Sequence, residues 1–381
     1  MSAALQHAVR RLTERQSLTR EESEEVMHTL MSGEAPPVLV GALLVALKMQ
    51  GETVAEVVGF VKGMRSRVVP VTAARTPLLD TCGTGGSAFR VFNVSTAAAF
   101  VAAAAGITVA KHGNRAVTGV CGSADVLEAS GVRVDLSPEE CAACIDAVGI
   151  GFLYAPAHHP AMRHISVARR EIGVRTIFNL VGPLANPAGA AWQTMGVYEP
   201  RLCRLAAGAL RELGSERAIV AHGTVGLDEI STIGITSICE LRGGETQEYV
   251  LTPEELGLTD AEPNFEMLLP ARTPAENADI VREVLTGKSE TADGVARRNL
   301  VAVNAAASLR VSGILEDWKA AVRMAQEILL SGAALEKMEQ LAAFTNSLPD
   351  RLNEERSNEE RSNEERSNEE RSNEESLRVE P

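Results

Sequence analysis

The stretch from Leu78 to Gly131 concentrates residue types that can hold an anion. Leu78-Leu79-Asp80 reads as a short strand, followed by Gly83-Thr84-Gly85-Gly86. Phe92-Asn93-Val94-Ser95-Thr96 then opens an Ala-rich helix through Ala105. A glycine loop exposes backbone N–H groups free of Cβ interference, and a helix start adds unpaired donors and the positive end of the macrodipole. A diphosphate is the natural occupant of such a nest. Taken alone, a glycine-rich turn between strand and helix also serves as a tight connection. Two features favour the anion site. Asn93, Ser95 and Thr96 put three polar side chains at one helix start, more than capping needs. The next apolar run, Ile107-Thr108-Val109-Ala110, leads into Lys111-His112-Gly113-Asn114-Arg115, which brings cationic and amide groups to the same sheet edge. In open α/β sheets, ligands bind beyond the carboxyl ends of the strands, where both turns lie.

The elements that must position these groups fall into two kinds. Residues 1–67 read as helices only. Thr19 and Glu22 form a capping box for a helix through Leu30, Pro37 suits the first turn of a helix carrying Val38 to Leu47, and Thr53 caps Val54 to Met64. From Val68, short apolar runs alternate with helix-length segments; besides those above they include Gly151-Phe152-Leu153-Tyr154 and Ala218-Ile219-Val220-Ala221. That alternation predicts an α/β domain over 68–348 with a mainly parallel central sheet. Within Ser237–Leu251, Gly243-Gly244 predicts a hairpin turn, and helical periodicity returns from Ala275 to about Leu348. The fold class is therefore α/β, a small all-helical N-terminal domain ahead of a larger α/β domain. Residues 349–381 differ in kind: Arg-Ser-Asn-Glu-Glu repeats from Arg356 to Glu375, with no apolar residue to bury, which predicts a disordered charged tail.

Bulk composition narrows the function classes. The 381 residues are 45% hydrophobic and only 3% aromatic, so the core must be built from small aliphatic side chains. Residues 351–381 hold 11 Glu and 6 Arg and so supply −5 of the −14 net charge. An acidic body argues against a broad basic face for nucleic acid, though not against a local pocket for a phosphorylated ligand. No apolar run approaches membrane-spanning length, and the N-terminus does not resemble a signal peptide. Six scattered cysteines do not form a disulfide framework, and a reducing cytoplasm fits best. Cys141 and Cys144 fall on one helical face after the cap Ser137. A zinc site needs about four ligands and no second pair exists, so both read as buried small side chains. His158 and His159 point about 100° apart on a helix and read as structural or substrate-side.

In order along the chain, Gly83-Thr84-Gly85-Gly86, Phe92-Asn93-Val94-Ser95-Thr96, Lys111-His112-Gly113-Asn114-Arg115 and Gly122-Ser123-Ala124-Asp125 resemble the anthranilate phosphoribosyltransferases. So do His158-His159-Pro160-Ala161-Met162, Arg175-Thr176-Ile177-Phe178-Asn179, Gly182-Pro183-Leu184-Ala185-Asn186-Pro187, and Asp228-Glu229 followed by Ser231. The resemblance covers about residues 1–345. It implies a nucleoside phosphorylase-like, type III phosphoribosyltransferase fold, and a homodimer contacting through the helical domain, which helices near 160–185 would join. It implies transfer of phosphoribose from phosphoribosyl pyrophosphate (PRPP) to the amine of anthranilate in tryptophan synthesis, with Mg2+ as cofactor. The PRPP set would be Gly83, Thr84, Gly85, Gly86, Ser87, Val91, Asn93, Val94, Ser95, Thr96, Lys111, His112, Gly113, Asn114, Arg115, Gly119 and Ser123. Anthranilate would meet Gly83, Asn114, Arg169, His112 and Gly182, and Mg2+ would be held by Ser95, Asp228 and Glu229. The residue types agree: Mg2+ takes hard oxygen ligands, commonly one or two carboxylates plus substrate phosphates, and Arg169 offers a planar fork for a carboxylate.

Three departures from the family's usual pattern lie near the predicted phosphate site. Ser87 stands where an Asp commonly follows the glycines, Val91 where Ser or Thr is usual, and Val120 in place of a common Lys. A pyrimidine nucleoside phosphorylase of the same fold, and a non-catalytic nucleic-acid-binding relative, are the alternative readings. The Asn114-Arg115 pair and the 158–186 block fit the first poorly, and the acidic composition fits the second poorly.

Overall fold

The computed structural model describes residues 2–85, 87, 89–116, 120–258 and 263–349. Gly86, Gly119 and nearly all of the repeat tail lie outside the described residues. The chain opens with four helices, α1 (Ser2–Thr13), α2 (Arg20–Met31), α3 (Pro37–Gln50) and α4 (Val54–Arg65). The capping boxes at Thr19/Glu22 and Thr53/Glu56 both form, each satisfying two backbone donors reciprocally. Helices α2 and α4 pack closely: a Cβ on Gly59 would come within 2.3 Å of the Arg20 carbonyl oxygen, so only glycine permits that approach.

The α/β part begins with β1 (Leu79–Gly83), α5 (Val94–Ala104), β2 (Val109–Gly113), α6 (Ser123–Ala129), α7 (Pro138–Val148) and β3 (Ile150–Tyr154). A short α8 (Ala155–His158) leads to α9 (Arg163–Ile172) and α10 (Phe178–Leu184), which pack on α2, α3 and α4. The chain then returns through β4 (Trp192–Gly196), α11 (Arg201–Glu212), β5 (Arg217–Gly223), β6 (Thr236–Arg242) and β7 (Glu245–Leu251). It ends in α12 (Phe265–Leu268), α13 (Pro274–Thr286), α14 (Ala292–Val311), α15 (Trp318–Ser331) and α16 (Ala333–Ser347).

Among the described residues the strands form one seven-stranded sheet in the order β3-β2-β1-β4-β5-β6-β7. The first five are parallel and β6 and β7 antiparallel. The predicted hairpin joins the last two through Gly243 and Gly244, both at positive φ. The run Ala218-Ile219-Val220-Ala221 shows why the parallel strands read as continuous apolar runs. Ile219 and Ala221 enter the core shared with α5 and α14, while Ala218 and Val220 face the one shared with α4 and α11. α5 is apolar on nearly every side and is buried almost throughout, at the centre of the first core.

The strand ends differ from the sequence expectation in a way that matters for the site. β1 does not stop at Asp80 but continues through Gly83, held by parallel pairing to β4 as far as Gly83 opposite Gly196. β2 starts at Val109 and runs to Gly113 against β3, so Lys111 and His112 lie inside the strand. β4 has no counterpart among the predicted runs. Trp192-Gln193-Thr194-Met195 puts two polar residues side by side and so shows no strand alternation, and its buried Gln193 is satisfied by donating to the Pro183 carbonyl at 2.8 Å.

Candidate active site

The candidate site is built at the carboxyl ends of β1, β2, β4 and β5. Thr84 follows β1 with its N–H on the Gly196 carbonyl at 2.9 Å, and its hydroxyl accepts the Tyr198 N–H at 3.1 Å, which pins the glycine turn to β4. The loop after β5 approaches from the other side. A Cβ on Gly196 would sit 1.5 Å from the Asp228 carbonyl oxygen, so a glycine there is what lets the Asp228–Glu229 loop reach the glycine turn. The two loops are joined by hydrogen bonds. The Gly85 N–H donates to Asp228 Oδ2 at 3.0 Å, the Ser87 hydroxyl donates to Asp228 Oδ1, and the Asp228 N–H donates to Ser87 Oγ at 2.7 Å. Asn304 of α14 braces the acidic loop from below: its Oδ1 accepts the Ile230 N–H and its Nδ2 donates to the Ile230 carbonyl, both at 2.9 Å.

Beneath the glycine turn a cavity is lined by Thr81, Cys82, Ser95, Gly196, Glu229 and Asn304, so Ser95 and Glu229 share one space. Glu229 stands at the start of α5, beside the Ser95 backbone N–H. Burial first, then the charge of neighbouring Asp228, pushes its carboxyl well above the ordinary range, and Lys111 opposes this. Buried Lys111 donates from Nζ to the Thr81 carbonyl and lies 3.4 Å from Ser95 Oγ. Burial lowers its pKa, with the Asp80 carboxylate opposing. Asp80 is itself fully buried in β1. One oxygen accepts the His112 N–H at 3.1 Å, the other has no partner, and burial raises the group to about 6.

On the β2 side, Gly113 packs so closely that a Cβ would fall 2.2 Å from Ser123 Oγ and 2.7 Å from the Phe152 ring. Ser123 Oγ donates to the Asn114 carbonyl at 3.3 Å. Arg115 lies on the surface, and its guanidinium is already paired with Asp125 and Glu128 and packed over the Tyr154 ring. The buried His112 ring lies 5.2 Å from that of His159 and near the Gly182 backbone. Burial, reinforced by His159, His158 and Lys111, holds His112 well below its ordinary pKa and keeps it neutral. Arg169 of α9 packs over the Phe178 ring at 5.2 Å and pairs with no carboxylate among the described residues. The adjoining Asn179 Nδ2 reaches the Thr84 carbonyl at 3.4 Å, which ties this helix pair to the glycine turn.

The structure thus gathers Gly83, Thr84, Gly85, Ser87, Ser95, Lys111, Asp228 and Glu229 around one cleft. His112, Gly182 and Asn114 flank it. Asn93 lies beside it, its Nδ2 on the Cys121 carbonyl at 3.3 Å. Val94 is buried, and Val91 is half-buried against the main core. The Thr96 hydroxyl is buried without a partner and lines a separate small cavity with Phe100, Lys111 and Leu127. Sequence reasoning passed over Asp80 and Asn304 as site-shaping residues. The signal for Asn304 was one amide inside the apolar stretch Leu300–Leu309; a polar group there needs a partner to be buried. Cys141 and Cys144 are buried in α7 as expected.

Among the described residues no three His, Cys, Asp or Glu side chains gather as a closed metal site. The donor set is instead two adjacent carboxylates and the Ser95 hydroxyl, all hard oxygens beside a nest for phosphate. That fits a Mg2+ ion completing its shell with substrate oxygens and water. Burial pushes Glu229 up first and the neighbouring Asp228 charge second, and the second is a cost that a divalent cation would relieve.

Residues 75–335 match the glycosyl transferase family's a/b domain, and residues 6–68 its helical bundle domain. An anthranilate phosphoribosyltransferase from Desulfosudis oleivorans is 46% identical over 337 residues, covering 88% of this chain and 97% of the relative. The crystal structure of the Thermus thermophilus anthranilate phosphoribosyltransferase superposes with a TM-score of 0.82 at 42% identity, covering 89% of this chain and 99% of that one. The Saccharomyces cerevisiae enzyme, solved in complex with PRPP and Mg, gives 0.81 at 27% identity, covering 91% and 99%. Both domain matches fall in chain order and the relatives align over nearly their whole length, so the chain belongs to the glycosyl transferase family, among its anthranilate phosphoribosyltransferases.

Proposed function

We propose that the protein transfers the phosphoribosyl group of PRPP to the amine of anthranilate, releasing pyrophosphate, with Mg2+ as cofactor, in tryptophan biosynthesis. The observation that carries the reading is the meeting of Gly85, the start of α5, Lys111 and the Asp228–Glu229 pair at one sheet edge. In this reading Gly83, Thr84, Gly85, Gly86, Asn93, Ser95, Thr96, Lys111 and Ser123 hold PRPP. Asn114 and Arg169 hold anthranilate, with His112 and Gly182 lining its side. Asp228, Glu229 and Ser95 hold Mg2+, which supplies positive charge against the departing diphosphate. The bond between the ribose anomeric carbon and the diphosphate oxygen breaks, and a bond from that carbon to the anthranilate nitrogen forms. The amine gives up one proton and the diphosphate leaves with the bond's electron pair. The nucleophile belongs to the substrate, so the chain's own residues position it and balance charge without a dedicated base. Neutral His112 suits a wall facing an aromatic ring rather than an anion.

The working unit in this reading has residues 1–67 with α9 and α10 on one side of the cleft and the rest of residues 68–348 on the other. A homodimer through the helical side is supported by α3, where Val38, Val45 and Met49 form an exposed apolar stripe. All six cysteines are free thiols, which suits the cytoplasm. Anthranilate fluorescence tests the function: it should decay when the protein, PRPP and Mg2+ are combined, and omission of Mg2+ should stop the decay. A signal unchanged with all components present overturns the assignment.

A further inference from the structure

Two backbone donors of the candidate phosphate nest face the protein's own carboxylates. The Gly85 N–H, on the glycine turn, donates to Asp228 Oδ2 at 3.0 Å. The Ser95 N–H, at the start of α5, faces the Glu229 carboxylate. Asp228 is held in that position from a second direction, because Ser87 donates to its other carboxylate oxygen and accepts its backbone N–H at 2.7 Å. Ser87 and Asp228 are separated by 141 residues, so this reciprocal pair closes one loop over another rather than completing a local turn. A hydroxyl, able to donate and accept at once, is needed for it. An Asp in its place would have no proton to offer a carboxylate at neutral pH and would repel it.

We propose that Ser87 is a positioning residue that holds Asp228 on the Gly85 N–H as an internal stand-in for the diphosphate, so that the anion gains its donor only when a divalent cation draws Asp228 away. The proposal rests on the diphosphate reading of the site and adds an order to it. Diphosphate without metal must displace a carboxylate fastened from both sides and meets its negative charge. With metal, the carboxylate gains a partner elsewhere and the amide is released. The limb beyond Ser87 has its own anchors, a stack of Phe89 on Phe265 at 4.4 Å and the Phe92 N–H on the Leu268 carbonyl. Removing the hydroxyl therefore leaves the loop attached.

The test is calorimetric titration of inorganic pyrophosphate into the full chain, in EDTA and at saturating Mg2+, for the wild type, Ser87→Ala and Ser87→Thr. Losing a hydrogen bond to a charged acceptor should tighten metal-free binding to Ser87→Ala about tenfold over wild type. The two proteins should converge at saturating Mg2+, where Asp228 is already withdrawn, and Ser87→Thr, which keeps the hydroxyl, should follow the wild type. Binding in Mg2+ with no gain for Ser87→Ala in EDTA overturns this proposal alone. So does an equal gain under both conditions, or Ser87→Thr behaving like Ser87→Ala. Failure of the wild type to bind pyrophosphate even in Mg2+ overturns the diphosphate reading, and this proposal with it.

Discussion

Arg169 shows how a side chain can be prepared for a ligand at a cost to the free protein. Burial lowers its pKa, its guanidinium pairs with no carboxylate among the described residues, and it packs over the face of Phe178. A substrate carboxylate would supply the missing charge through a bidentate pair. Arg169→Ala should raise the KM for anthranilate about 10- to 100-fold, the range of a charge-assisted hydrogen-bond pair, with a smaller change in kcat. Arg169→Lys should recover little, because an ammonium lacks the planar fork. Steady-state kinetics with anthranilate varied at saturating PRPP measure both. An unchanged KM in the Ala variant removes Arg169 from the acceptor side.

At the scale of elements, the close approach of β2, β3 and α6 decides where the second turn of the site falls. Gly113 is the last residue of β2, and a Cβ there would overlap Ser123 Oγ and the Phe152 ring. Gly113→Ala must push α6 or β3 aside, a cost of about 1–3 kcal/mol by analogy with overpacked cores. The expected result is a lower midpoint in thermal unfolding and weaker PRPP binding, because Ser123 moves with α6. A variant as stable as the wild type would mean that α6 shifts freely.

For the molecule as a whole, a histidine cluster links the site to the joint between its two parts. His158 Nδ1 meets the Val69 carbonyl at 3.0 Å, and His158 accepts the Val69 N–H at its own carbonyl, so it fastens the strap after α4. Burial first, and His158 second, lowers His159 to about 4; burial also lowers His158 and His112. Because the folded pKa of His159 lies below its unfolded value, its contribution is fully present above pH 6.5 and is lost as pH falls towards 4. Asp80, raised to about 6 mainly by burial, acts in the opposite sense over part of that range. The clean measurement is therefore a difference. His159→Asn should flatten the dependence of unfolding free energy between pH 6.5 and 4 by about 3 kcal/mol, from roughly 1.4 kcal/mol per pKa unit. Parallel curves for the two proteins would show that His159 does not titrate there. At the same scale, Val38→Glu with Met49→Glu on α3 should turn a dimer into a monomer in sedimentation, whereas the wild type sedimenting as a monomer would remove the dimer reading.

Much of this architecture was legible in the residues alone, because its signals are local. Capping boxes at Thr19, Thr53 and Ser137 form within four residues, the Gly243-Gly244 turn needs only a backbone preference, and a run such as Ala218–Ala221 records burial on both faces. The ordered motifs also pointed to the family. Other features depended on neighbours distant in the chain. β4 carries no alternation of its own, with Gln193 and Thr194 adjacent, and is a strand because β1 and β5 flank it. Lys111 and His112 lie inside β2 because β3 extends the pairing. The grip of Ser87 on Asp228, the brace of Asn304 and the shifts at Asp80 and Glu229 arise from approach across the sheet edge. Hydrogen bonds and desolvation depend on distances between atoms, and those distances exist only once the chain has folded.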